Sequence, residues 1–315
     1  MTSGGNNLSS SYFILVGIPG MENIQLWFSL PAFCIYLITL LANISVLLTI
    51  KTEESLHQPM YLFLSMLLLT DLVQSNAILP KMLLLFLFNL QEITFEGCLL
   101  QMFFIHSFSV MCSSVLLAMA FDRYVAICQP LRYSTILTNP LIAKIGVAVA
   151  MRGTVLVLPH PFLVRRLPFC NSHMIEHTYC DHMTVAKLAC ADIGVNVVYG
   201  LVAVLLTAAD FIGITVSYSM IVTAVFNLPS REARHKVGST CVSHVCVILL
   251  AYIPALFSSV TQRFGGKIAP STQIILSNLY LIIPPMLNPI IYGIKTKEIK
   301  RNVLKLYCAQ RSRCQ

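Results

Sequence analysis

Charged residues are scarce in this chain. They make up 11% of the 315 residues, against 57% hydrophobic residues, whereas roughly a quarter of an ordinary soluble domain is charged. This excludes a soluble globular protein and indicates a chain that lies mostly in a membrane. A cleavable signal peptide is also missing, because the first 25 residues have neither a basic start nor a sustained apolar core. We therefore expect the first span to act as the insertion signal.

Seven stretches are apolar and long enough to cross a bilayer as tilted helices. They cover about residues 24–50, 59–87, 98–127, 141–163, 193–226, 237–261 and 271–294. The fourth contains Arg152, which needs an acidic partner, water or an interfacial position. We predict an all-α membrane protein, a seven-transmembrane helix bundle with a short amphipathic C-terminal helix. Residues 1–23 would form an extracellular tail, 24–294 the bundle with an outer loop at 164–192, and 295–315 a cytoplasmic helix and tail.

The basic residues predict the orientation. With the N-terminus outside, the cytoplasmic segments hold fourteen Lys and Arg and the outer segments five, as the positive-inside rule requires. Asn7-Leu8-Ser9 then reads as a glycosylation acceptor in the outer tail. The net charge of +8 is explained mostly by the Lys and Arg residues that orient the spans. We therefore predict a plasma-membrane protein that binds lipid and no nucleic acid.

Four cysteines fall on the outer side: Cys98, Cys170, Cys180 and Cys190. This compartment is oxidising, and four cysteines allow three pairings, among which spacing does not choose. The outer loop also carries His173, His177, Cys180, Asp181 and His182, a set that could ligate zinc or copper. Disulfide-bonded cysteines cannot act as thiolate ligands, so we predict no metal and no cofactor.

The most informative motif is Asp122-Arg123-Tyr124. It follows a run over 97–121 that contains no Lys, Arg, Asp or Glu, so one helix delivers an acid and an arginine to a membrane face. Snorkelling of Arg123 to the interface would explain the arginine but not Asp122.

Further motifs carry a family resemblance. The triplet at 122–124 and Asn288-Pro289-Ile290-Ile291-Tyr292 resemble a rhodopsin-like G-protein-coupled receptor. The segments at 59–65, 119–128, 239–244 and 285–293 are similar to olfactory receptors, and those at 17–22 and 180–192 to their class I branch, families 51 and 52. The resemblance covers about residues 12–305.

The resemblance implies roles for the inner face and the outer cysteines. Arg123 would hold the inner ends of spans three and six together at rest and then turn toward a stimulatory G protein. Tyr292 would swing inward and bridge to Tyr218 through water, while Lys236 and 239–244 would pack against the G protein. The disulfides would be Cys98–Cys180 and Cys170–Cys190.

One position departs from the resemblance. Most olfactory receptors have Glu in span three where this chain has Cys112. We therefore expect Asp71 in span two to lack a partner and to favour its neutral form. Tyr252 takes the place of the usual toggle tryptophan, and Pro254 would provide the hinge of span six.

The resemblance places a ligand site in the outer half of the bundle. Arg263 and His106 match positions that class I receptors use for polar, often acidic, odorants, and a guanidinium binds a carboxylate through two hydrogen bonds. The alternatives are an interfacial anchor for Arg263 and helix packing for His106. Ser259 would add a hydroxyl and Met183 a flexible lid. An apolar floor would consist of Val110, Leu206, Tyr252 and Ala255.

The predicted function is an odorant receptor in sensory cilia that binds a carboxylic acid or another polar aliphatic and raises cAMP. The stretch 99–111 contains no acid, which argues against cationic ligands. One alternative is a non-olfactory receptor for an anionic metabolite. A transporter is more remote, because no internal repeat is evident. An enzyme is not expected, since Asp71, Arg152 and Asp210 look scattered.

Overall fold

The computed structural model describes residues 12–21, 24–170, 173–227, 231–264, 269–296 and 298–303. For parts of 231–264 and for 294–295 it describes the backbone only. Asn7 and residues 304–315 lie outside this range.

Long helices dominate the chain, because in a bilayer every backbone polar group must find its partner within the protein. The long helices are α1 (Gln25–Thr52), α2 (Pro59–Phe88), α3 (Phe95–Cys128), α5 (Asn139–Val157), α8 (Gly194–Phe226), α9 (Arg231–Phe264) and α10 (Pro270–Lys295); the short ones are α4 (Tyr133–Ile136), α6 (Pro159–Arg165) and α7 (His182–Ala186). Several starts follow from sequence: proline opens α2 and α10, where its missing N–H costs nothing.

Within the described residues, six helical stretches are long and apolar enough to cross a membrane, with α5 and α6 counted as one. A shorter apolar stretch over 245–261 within α9 supplies the seventh. The predicted seven-helix bundle is therefore confirmed. Of the C-terminal helix, residues 298–303 are described and helical, with Ile299 buried and Arg301 exposed.

The fourth span is broken toward its end, with 19 residues in α5 and 7 in α6. Helix α5 ends at Val157 and α6 begins at Pro159, because a proline has no N–H to donate and its ring clashes with the preceding turn. Gly153 lets α5 approach α3 closely, since a Cβ there would stand 2.8 Å from the Ser107 carbonyl oxygen. The close approach brings Arg152 alongside α3.

A small sheet adds to the helical bundle and was not expected from the sequence. Its strands are β1 (Tyr12–Leu15), β2 (Glu92–Thr94) and β3 (Met174–Ile175), in the order β2-β1-β3. Strand β1 pairs antiparallel with β2 and parallel with β3. The N-terminal segment is therefore tied to the rest of the protein from Tyr12 onward.

Among the described residues, the two larger buried clusters lie toward opposite ends of the bundle. One, around Cys98 and Cys180, packs beneath the sheet, and we call this the disulfide end. The other, around Val125 and Tyr292, packs near Asp122, and we call this the Asp122 end. Helix α3 runs through both and contacts α2, α5, α8 and α9.

Candidate functional site

A cavity of about 180 Å³ opens inside the bundle toward the disulfide end. For scale, a cavity of about 150 Å³ is large enough to hold benzene, so this one fits a small molecule. Six of the residues predicted for the ligand site line it: His106, Val110, Met183, Tyr252, Ala255 and Ser259.

Leu206 was wrongly placed in the floor of the cavity. Its side chain is 47% exposed on the outside of α8. The residues of α8 that line the cavity are Gly200, Ala203, Val204, Thr207 and Ala208. They follow the three-and-four spacing of one helix face, and Leu206 lies off that face.

One wall of the cavity is polar and rich in histidine. His106 on α3 has its Nε2 atom 3.7 Å from Asp181 Oδ1. The His160 ring on α6 lies 6.0 Å from the His106 ring and 4.4 Å from the His182 ring, centroid to centroid. We call His106, His160, Asp181 and His182 the histidine cluster. The sequence analysis considered Asp181 and His182 only as loop residues that could ligate a metal, and it missed His160.

The helix break explains why His160 is here. The Val157 carbonyl would normally accept from the backbone N–H four residues on, but that residue is Pro161, which has none. His160 Nδ1 lies 3.2 Å from this carbonyl oxygen and can donate the missing hydrogen bond. The paired prolines around His160 were the signal in the sequence.

Asp181 is a buried acid with several partners. Its Oδ2 accepts from the backbone N–H groups of Met183 and Thr184 at 3.0 and 3.2 Å, which caps α7. Burial alone would raise the pKa of the Asp181 carboxyl. The charges of His106 and His177 and the Thr184 N–H outweigh burial and hold that pKa below its usual value. Asp181 is therefore an anion in the wall of the cavity.

His177 is buried beside this wall. Its ring is 3% exposed and stacks edge-on against Tyr179 at 4.1 Å. Its Nδ1 accepts from the Thr178 N–H at 3.0 Å. Burial lowers the pKa of His177 to about 4, so this histidine is neutral at physiological pH.

Below the cavity, a chain of hydrogen bonds joins four helices. Ser113 Oγ donates to Asp210 Oδ2 at 2.6 Å, so the Tyr252 hydroxyl must be the donor in its own short contact with Ser113. Arg152 Nη1 donates to the same Asp210 oxygen at 2.7 Å, and Arg152 also bonds Ser114. We call Ser113, Arg152, Asp210 and Tyr252 the floor network. Arg152 and Asp210, which looked scattered in the sequence, form an ion pair.

Asp71 also has a partner, contrary to expectation. The Asn288 Nδ2 group donates to Asp71 Oδ2 at 2.9 Å, and both residues are 2% exposed. The cavity reaches Asp71 and Cys112 at its deep end. The adjacent Pro289 lies inside α10.

At the Asp122 end, Arg123 pairs with its own neighbour. The Arg123 Nε atom lies 2.8 Å from Asp122 Oδ2, and the Tyr133 hydroxyl donates to Asp122 Oδ1 at 2.7 Å. Tyr124, Tyr218 and Tyr292 pack in the surrounding apolar cluster. The predicted link from Arg123 to span six stays a prediction, as does the Tyr218–Tyr292 bridge, and the Lys236 side chain lies outside the described residues.

The four cysteines that were predicted to lie outside form two disulfides, Cys98–Cys180 and Cys170–Cys190. The first ties the loop that carries Asp181 to the start of α3, so it fixes the wall of the cavity. Arg263 lies on α9, and its side chain is outside the described residues.

Seven membrane helices, a ligand-sized cavity toward one end and an Asp-Arg-Tyr triplet at the other define a G-protein-coupled receptor. The family model of the olfactory receptors matches residues 33–310. The chain is 50% identical over 308 residues to human olfactory receptor 52N4, covering 97% of this chain and 96% of that protein. It is 52% identical over 298 residues to human olfactory receptor 52N5, covering 94% and 92%, and 50% identical over 304 residues to human olfactory receptor 51E1, covering 96% and 95%.

The chain therefore belongs to the olfactory receptor family, as its class I motifs predicted. It is an odorant-sensing, multi-pass membrane receptor and not an enzyme.

Proposed function

We propose that this receptor binds a small carboxylic acid in its cavity and activates a stimulatory G protein, which raises cAMP. The observation that carries the proposal is the composition of the cavity lining, in which the imidazoles of His106, His160 and His182 meet while α8 contributes small, largely apolar residues such as Ala203, Val204 and Ala208. A polar head group and a short alkyl tail fit such a division. Arg263, from the sequence, adds a guanidinium near the outer end of α9.

The floor network supports a route for the signal. Tyr252 lines the cavity and donates to Ser113, while Pro254 lies two residues further along the same helix. A ligand that displaces Tyr252 therefore acts on α9 next to Pro254, and a proline weakens the helix that contains it. Movement of α9 at the Asp122 end would free Arg123 for the G protein.

The same proposal places the protein in the plasma membrane of sensory cilia with the N-terminus outside. The disulfide end would face the exterior, where oxidised cysteines persist, and Asn7 would be glycosylated. Protease protection of an N-terminal tag in intact cells tests this orientation.

The direct test is a cAMP assay of straight-chain carboxylic acids of increasing length beside the matching alcohols. We expect acids to be the more potent class. Responses confined to alcohols would contradict acid recognition, and acid binding without cAMP would contradict the coupling.

Arg263→Ala sharpens this test. Loss of a partner for a desolvated carboxylate costs roughly 2–5 kcal/mol, so the potency of acids should fall at least about thirtyfold, and that of alcohols far less. Arg263→Lys should restore part of the loss, because an ammonium lacks the planar fork.

Arg165→Ala is the matched control. Arg165 pairs with Glu96 at 3.1 Å, and both side chains are well exposed, so its loss should change neither potency nor surface level. Equal losses for acids and alcohols in Arg263→Ala would make Arg263 an interfacial anchor.

A further inference from the structure

We propose that Asp71 and Gln74 of α2 form a second polar subsite in the cavity, and that the receptor prefers an acid whose chain carries a hydroxyl group at the end away from the carboxylate. The inference rests on the proposed function, which places the carboxylate toward the disulfide end, and it names the class of acid that binds.

Helix α2 gives the cavity a polar lining. Among the described residues that line the cavity, those from α2 are Asp71 and Gln74. They are three residues apart, so they are neighbours on one face of the helix. Helix α8, in contrast, contributes small and largely apolar residues to the same cavity. A ligand that extends to α2 therefore meets hydrogen-bonding groups at the end of an otherwise apolar path.

The amide of Gln74 is buried without a partner among the described residues. Gln74 is 6% exposed, and its side chain forms no hydrogen bond with any of them. Gln101 of α3 is buried to the same degree but uses both ends of its amide, donating to the Ala77 carbonyl at 2.8 Å and accepting from the Cys180 N–H at 2.9 Å. Because a buried amide that forms no hydrogen bond is costly, Gln74 is suited to bond a group that enters the cavity.

Asp71 leaves one oxygen for the same group. Its Oδ2 accepts from Asn288 at 2.9 Å, whereas Oδ1 accepts from none of the described residues. A hydroxyl group both donates and accepts hydrogen bonds, so it can donate to Asp71 and accept from the Gln74 amide. A second carboxylate suits this subsite less, because no described residue of the cavity lining is Lys or Arg and a buried charge without a partner is costly.

The spacing along α3 sets the separation of the two polar groups of the ligand. His106 and Cys112 both line the cavity, and the six-residue step between them corresponds to about 9 Å along the helix axis. Cys112 lies with Asp71 at the deep end, while Val110 adds apolar surface between the two positions. The hydroxyl therefore belongs several carbon atoms away from the carboxylate and not next to it.

Calorimetry of the purified receptor compares three acids of equal chain length: the ω-hydroxy acid, its 2-hydroxy isomer and the unsubstituted acid. At the best chain length, the ω-hydroxy acid should bind at least about tenfold more tightly than the unsubstituted acid, because its hydroxyl pairs groups that a methyl leaves unpaired. The 2-hydroxy isomer should show no such gain. Equal affinities of the ω-hydroxy and unsubstituted acids at every length, or equal gains for both hydroxy isomers, would overturn the subsite.

Diols separate this inference from the proposed function. Acids that bind with no preference for the ω-hydroxyl overturn the subsite and leave the proposed function standing. Alcohols that bind where acids do not overturn the acid ligand. In that case, an α,ω-diol that binds more tightly than the matching alcohol supports the subsite, and equal affinities of the two overturn it.

Gln74→Met is the matching variant, because methionine has a similar length and no hydrogen-bond donor. The ω-hydroxy acid should lose about tenfold in affinity, while the unsubstituted acid binds at least as tightly as before. Leu72→Met, on the same helix but outside the cavity lining, should keep the preference for the hydroxyl. An unchanged preference in Gln74→Met would overturn the role of Gln74; if that variant does not fold, the two hydroxy isomers in the unaltered receptor decide.

Discussion

The two ends of the bundle are held together in different ways. At the disulfide end, two disulfides and a three-stranded sheet fix the loop over the cavity. At the Asp122 end, the described contacts include an ion pair between neighbours, the hydrogen bonds from Tyr133 to Asp122 and from Tyr61 to Glu298, and apolar packing. Covalent links do not exchange partners, whereas an ion pair can, so one end is suited to present a rigid site and the other to switch.

Removing a disulfide at the disulfide end should have the largest effect on the receptor. Cys98→Ser removes a disulfide that joins positions 82 residues apart, and loss of such a bond typically costs about 2–5 kcal/mol. We expect surface expression, measured by flow cytometry, to be abolished. Cys34→Ser, at an exposed free cysteine, should be expressed normally, and normal trafficking of Cys98→Ser would show that the sheet alone suffices.

Removing the ion pair at the Asp122 end should affect signalling rather than folding. Arg123→Ala should bind odorant with near-normal affinity but lose the cAMP response, because we propose that Arg123 is the residue that contacts the G protein. The exposed Arg132 provides the control, since Arg132→Ala should still signal. An undiminished cAMP response in Arg123→Ala would remove the proposed difference between the ends.

The floor network lies between the ends and should give an intermediate loss. Arg152→Ala leaves Asp210, 5% exposed, without its guanidinium partner. Loss of one member of a buried pair costs roughly 3–5 kcal/mol; the Arg152 side chain is 33% exposed, so we expect about 2–3 kcal/mol.

Thermal unfolding of the purified receptor measures this loss. The double change Arg152→Met and Asp210→Leu should recover most of the stability, because it leaves no lone buried charge. A double variant that is no more stable than Arg152→Ala would contradict the pairing.

The smallest effect that we expect is a loss of stability at the disulfide end when the pH is lowered. His177 has a folded pKa of about 4, below the roughly 6.5 of an unfolded histidine. The unfolded chain therefore binds a proton first as the pH falls, and stability is full above about pH 6.5 and lost toward pH 4. We expect a loss of about 2 kcal/mol at pH 5 relative to pH 7.5.

His177→Asn should flatten this part of the unfolding curve, because its side chain can still accept from the Thr178 N–H without titrating. Asp181 does not interfere. Because its pKa is lowered in the folded protein, the stability that Asp181 contributes is lost only when the pH falls below about 4. His173→Asn should retain the pH dependence, and a curve unchanged in His177→Asn would exclude His177 as its source.

The length of the apolar runs and the positions of the charges predicted the spans, because a bilayer leaves few alternatives for a long apolar run. They did not predict the partner of Arg152, since Asp210 lies on another helix and packing alone brings them together. Leu206 was misplaced because α8 is apolar on every side, so its sequence does not mark the face that turns inward. The strands escaped detection because they span four, three and two residues, too few for an alternating pattern.

The sheet also sets an order of assembly. Its middle strand, β1, comes from the first part of the chain, and Ile14 pairs with Glu92 on one side and Met174 on the other. During synthesis this strand emerges before both partners exist, so it waits until the loop before α3 and the loop after α6 have been made. The sheet is thus completed only after the loop that follows α6 has been made, so the pairing of β1 with β3 comes late in assembly.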